Sequence, residues 1–164
     1  MTGLDLPGWA HLPGVTEGAD KVPLDAAKAL LPGRFEGPPA ADHPAILYGI
    51  ELCDRGYYWE AHEVLEAAWR ATAQNGRDRQ ALRAIIQLAN AGLKLRMGRP
   101  RAALRLLNEV CGRLTDALSS GGESGFAAAL DAAGLNALVR VLAARLGRET
   151  TLQTEVPPIR PHLR

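Results

Sequence analysis

The chain has 164 residues, 47% of them hydrophobic, with 19 Lys and Arg against 18 Asp and Glu. That length supports one core and one domain, and a net charge of +1 makes nucleic acid an unfavourable partner for a protein that would grip it by charge. The two cysteines, Cys53 and Cys111, fall in segments of helical periodicity and read as small buried apolar residues instead of a disulfide framework, which fits a reducing, cytoplasmic compartment.

The N-terminal stretch "MTGLDLPGWAHLPGV" has no basic leader, and Pro7, Gly8 and Pro13 break its apolar run, so it does not read as a signal peptide. No apolar run reaches membrane-spanning length, and no membrane partner is expected. Residues 1–43 hold six of the eleven prolines, too many for a long helix or a central strand. They read as an extended arm with room for one short helical turn at "PLDAAKALL". Trp9, Leu12, Leu30, Leu31 and Phe35 are apolar enough to lie partly against the body.

From Asp42 the spacing becomes helical. Pro44 starts a first predicted helix that Gly56 stops at about Arg55. A second runs from about Tyr57 to Ala73 and ends at Asn75 and Gly76. A third, capped by Asp78, covers "RQALRAIIQLANAGLKLRM" and closes at Gly98. Pro100 opens a fourth, stopped by Gly121 and Gly122. A fifth region spans about Glu123 to Leu146, as one kinked helix or two. Residues 44–148 form the helical domain, and 149–164 read as an extended tail. Short connections and the lack of period-two alternation predict an all-α antiparallel bundle of about five helices built from helical hairpins, with a proline-rich N-terminal arm.

The densest chemistry lies in "GYYWEAHEVLEAAWR". At about 100° per residue, Tyr57, Ala61, Val64, Leu65, Ala68 and Trp69 share one arc, and Glu60, Glu63, Glu66 and Arg70 the other, with His62 at the border. Trp59 falls among the charges, so the arm or a partner chain is expected to cover that face. Covered carboxylates need partners, because an unpaired one costs several kcal/mol or takes up a proton. On the third predicted helix Arg83, Gln87, Asn90 and Lys94 form a polar stripe at spacings of four, three and four. The expectation is that this stripe meets His62, Glu63 and Glu66.

Two functions follow. The first is a non-enzymatic binding or assembly module, self-associating or holding a protein partner, organised by that buried network and needing no cofactor. The alternative is a metal-dependent or acid/base hydrolase centred on His62, Glu63 and Glu66, because "HEVLE" puts an imidazole and a carboxylate four residues apart on one helix face, as zinc-protease helices do with two histidines. A separate basic run, Lys94, Arg96, Arg99, Arg101 and Arg105, surrounds the turn between the third and fourth predicted helices and suits a small anionic ligand.

The aromatic pair, "EAHEVLE", the following "IQ" helix and its closing Gly98 resemble the family catalogued as domain of unknown function 309, over roughly residues 42–120. "LPGRF" in the arm is similar to an element preceding the helices in some members. The resemblance implies an all-helical fold and no established activity. Its matching positions are Glu60, His62, Glu63, Glu66, Trp69 and Gln87. Lys94 stands where many members are expected to have His, and a protonated lysine is a poor metal ligand.

Overall fold

The computed structural model describes residues 3–119 and 125–155. Among them are seven helices: α1 (Val22–Ala29), α2 (Pro44–Asp54), α3 (Tyr58–Ala71), α4 (Arg77–Arg96), α5 (Pro100–Ser119), α6 (Phe126–Ala129) and α7 (Ala132–Glu155). The described residues contain no strand. The all-helical expectation holds, but the count of about five does not.

Two local causes account for the extra helices. In the arm, Pro23 lies in the first turn of α1, where its missing N–H costs nothing, and Leu24 and Ala27 then bury completely against the body. In the fifth predicted region the break falls at Leu130 and Asp131 and leaves Gly134 inside α7. Leu130 is extended, with ψ 126°, and Asp131 Oδ1 accepts from the Gly134 N–H at 2.9 Å, capping the new helix. α7 then continues to Glu155, beyond the boundary at 148. The expected stop at Gly121 and Gly122, and residues 156–164 of the tail, lie outside the described residues.

α4 holds the structure together. It packs on α3, α5 and α6, and each of three apolar clusters takes residues from it. Ile46, Leu65, Leu82, Ile85 and Phe126 join α2, α3, α4 and α6. Ala84, Leu107, Val110, Leu114 and Val139 join α4, α5 and α7. Leu24, Tyr48, Leu52, Val64 and Ala89 join α1 through α4. Each fully buried Leu, Ile or Val contributes about 1.5–3 kcal/mol relative to exposure.

Two glycines fix how α3 sits. Gly56 takes φ +83° between α2 and α3, a conformation costly for other residues, and a Cβ there would lie 2.6 Å from the Arg96 guanidinium. Gly92 lets Tyr58 lie against the α4 backbone; a Cβ would come 2.5 Å from the ring.

The arm docks along the same side. Tyr48 Oη donates to the Asp5 carbonyl at 2.6 Å, the Phe35 N–H donates to the Ala71 carbonyl at 2.8 Å, and Leu4 and Leu6 join the third apolar cluster. His11 meets the Trp59 ring edge-on, with centroids 4.8 Å apart. Trp59 sits among charges on the helical wheel, and this contact is what covers it.

Candidate functional site

α3 carries its apolar residues Ala61, Val64, Leu65 and Ala68 into the core, which turns His62, Glu63 and Glu66 toward the rim. Their ligating atoms all lie within 4.8 Å of one another. The three side chains are between 27% and 32% exposed, sheltered yet reachable from solvent. His62 Nε2 stands 3.7 Å from Glu66 Oε2. Its Nδ1 is buried without a hydrogen-bond partner, so the imidazole keeps unused bonding capacity. Lys28 of α1 reaches Glu63 at 3.3 Å, and Arg70 reaches Glu66 at 3.1 Å.

Glu60 points the other way and is completely buried. Its Oε1 accepts from the His11 N–H of the arm at 2.6 Å, while Oε2 has no partner. Burial raises its pKa, and the bond from His11 opposes that rise only in part.

The polar stripe of α4 does not face these groups. Gln87 donates to Glu109 Oε2 of α5 at 2.9 Å, and Asn90 donates to Gln87 Oε1 at 2.9 Å. Arg113 donates to Glu109 Oε1 through Nε and Nη2 and to Gln80 Oε1 at 3.1 Å through Nη1. Those bonds from Gln87 and Arg113 hold the Glu109 carboxyl below its ordinary value. The stripe's principal partner is therefore α5. Two of the expected members lie outside these hydrogen bonds: Arg83 lies over the Trp69 ring, 5.1 Å from its centroid, and reaches Glu109 through its charge alone, and Lys94, half-buried, joins neither network among the described residues.

Of the basic run, Arg99, Arg101 and Arg105 are exposed, and Arg96 lies 5.3 Å from the Tyr58 ring centroid. Burial, helped by Asp54, pushes the Cys53 thiol up to about 11, which disfavours the reactive thiolate.

A His, two carboxylates and an imidazole nitrogen to spare, on a helix whose other face is core, match the motif that carries the family resemblance. Residues 46–106 match the family described as domain of unknown function, DUF309. The DUF309 match runs from α2 into α5, inside the 42–120 stretch of sequence resemblance, and it contains His62, Glu63, Glu66 and Gln87. α1 and α7 lie outside it, so Lys28, which holds Glu63, is a contribution from beyond the matched segment. Comparison with curated proteins and with solved structures gives no match. No helix among the described residues is long and apolar enough to cross a membrane.

Residue spacing could not find Arg79. It lies over Trp69 with its guanidinium carbon 3.8 Å from the ring centroid, and no periodic signal in the sequence sets it apart from other surface arginines.

Proposed function

We propose that His62, Glu63 and Glu66 form a divalent-metal site serving hydrolysis. The observation that carries this reading is the approach of one imidazole and two carboxylates to within 4.8 Å of one another at a partly open rim. Tetrahedral donors at bonds of roughly 2.0–2.2 Å lie about 3.3–3.6 Å apart, so closure draws the widest pair together by about 1.2–1.5 Å, a shift that rotation of partly exposed side chains can supply. Mixed nitrogen and oxygen donors suit Zn²⁺, Mn²⁺ or Fe²⁺. Three protein ligands leave coordination positions open, as catalytic sites require. A cation held there supplies Lewis-acid activation of water toward a hydrolysable bond.

The chain's own residues do the rest. His62 and Glu66, one helical turn apart, set the spacing of two donors. Lys28 and Arg70 pair with the carboxylates of Glu63 and Glu66 and orient them, and both cations lie on flexible stems that can swing outward. Elemental analysis of protein purified without a histidine tag tests the reading: about one equivalent of Zn, Mn or Fe in the parent and none in His62→Ala or Glu66→Gln supports it. Metal-free protein that also fails to take up Zn²⁺ or Mn²⁺ in a calorimetric titration overturns it.

A second reading, a non-enzymatic binding or assembly module, is favoured by the chain of bonds from Asn90 through Gln87, Glu109 and Arg113 to Gln80, which ties α4 to α5. Leu138, Val141 and Leu142 on α7 are between 41% and 57% exposed and offer an apolar face to a protein partner or a second copy. Under this reading the substitutions that matter are in the α4–α5 network, and a change in sedimentation behaviour with protein concentration is the measurement that supports it.

A further inference from the structure

A cavity of about 290 Å³ opens between the end of α3, the start of α4 and the middle of α5, lined by Trp69, Gln74, Arg79, Gln80, Arg83 and Arg113. Three guanidiniums and two amides converge there, and none of the lining residues is a carboxylate. We propose that this cavity binds a phosphate group, either free or as a small phosphate monoester.

The charge arrangement is the first argument. Glu109 lies beside the cavity, paired with Arg113 and within electrostatic reach of Arg83, so its one negative charge is shared among guanidiniums and the three arginines keep two positive charges in excess. A surplus of two positive charges matches a phosphate, which carries about −1.5 to −2 near pH 7, better than it matches a single carboxylate.

Preorganisation is the second. Arg79 is fixed by two bonds from Nη1, to the Trp69 carbonyl at 3.0 Å and the Thr72 carbonyl at 2.9 Å, and by its stack on Trp69. Arg113 is fixed by Gln80 and Glu109. Arg83 Nε is buried with no hydrogen-bond partner, and a buried donor of that kind gains from any acceptor that enters. A guanidinium offers parallel N–H groups to two oxygens of one phosphate.

Size and shape narrow the ligand. Small-molecule sites usually begin at about 300 Å³, so this cavity takes a phosphate with a small organic group. The Trp69 ring already carries the Arg79 guanidinium, which argues against a nucleobase as its stacking partner. Together with the chain's near-neutral charge, this speaks for a small metabolite over a nucleic acid.

Isothermal titration of the full chain with inorganic phosphate, phenyl phosphate and acetate, in EDTA at constant ionic strength, tests the site. Saturable binding of either phosphate, little binding of acetate and an affinity about tenfold weaker or worse in Arg83→Gln support it; tighter binding of phenyl phosphate assigns the monoester, and otherwise the free ion. Arg83→Lys should fall between the parent and Arg83→Gln, since it keeps the charge and loses the fork. No saturable binding overturns the proposal, and so does binding unchanged in Arg83→Gln, which would put the anion elsewhere, for example at Arg99 and Arg105. Circular dichroism confirms that each variant is folded before its affinity is compared.

Discussion

The rim of α3 and the interface of α4 with α5 use the same kinds of side chain to opposite ends. Where α4 meets α5, the Gln87 amide and the Glu109 carboxylate have their answers nearby: Glu109 accepts from Gln87 and Arg113, and Gln87 accepts from Asn90. On the α3 rim, His62 Nδ1 is buried with nothing bonded to it, and two carboxylates crowd beside the imidazole. A closed network stabilises and orients; an open one has capacity for something not yet there. That difference, more than the number of charged residues in either place, makes the α3 rim the candidate for chemistry.

The comparison can be tested by loading the open side. A divalent ion at 100 times its dissociation constant should stabilise the fold by about 2.7 kcal/mol, read as a rise in melting temperature with Zn²⁺ or Mn²⁺, and His62→Ala should abolish the rise. Next in size is the closed side: Glu109→Ala removes the acceptor of Gln87 and of Arg113 Nε and Nη2, leaving Arg113 only Gln80, and should cost about 1–2 kcal/mol in urea unfolding, with no change in metal response.

A smaller, pH-dependent effect belongs to Glu60. Its pKa is raised in the fold, so its contribution to stability is fully present below the ordinary carboxylate value and lost as pH rises through the raised one. Glu60→Gln keeps an acceptor for the His11 N–H and removes the charge. The variant should therefore exceed the parent in stability at pH 8, with the gap closing toward pH 4; a parent more stable than the variant at pH 8 would contradict the assignment. Glu109 works in the opposite sense: its lowered pKa gives stability above the ordinary carboxylate value that is lost as pH falls through the lowered one. Smallest of all, His62→Ala in metal-free buffer should cost less than about 1 kcal/mol, because the pair it breaks is partly exposed. A larger loss would place His62 with the closed network after all.

Much of the helical layout could be read from spacing and breakers, since Pro44, Gly56, Gly98 and Pro100 act locally. The sequence leaves room for the two extra helices, as a helical turn at "PLDAAKALL" and as a fifth region of one helix or two, but what holds each in place also involves distant partners. α1 is held by burial of Leu24 and Ala27 against α2 and α3, and α6 receives its cap from Asp78, whose Oδ1 accepts from the Ala127 N–H 49 residues away at 2.8 Å. Asp78 had been expected to cap its own helix. At the site, His62, Glu63 and Glu66 were legible because they share one helix. Lys28 on Glu63, His11 on Glu60 and Glu109 on Gln87 were not, because a period of 3.6 residues gives the face of a helix and says nothing about which neighbour it meets.

The seating of Tyr58 on Gly92 has an evolutionary corollary. The ring occupies the volume where any other residue at position 92 would begin its side chain, so the two positions should change together. A relative that carries alanine or serine at 92 is expected to have traded the tyrosine for something slimmer. One that keeps both bulky would have to hold the helices corresponding to α3 and α4 further apart.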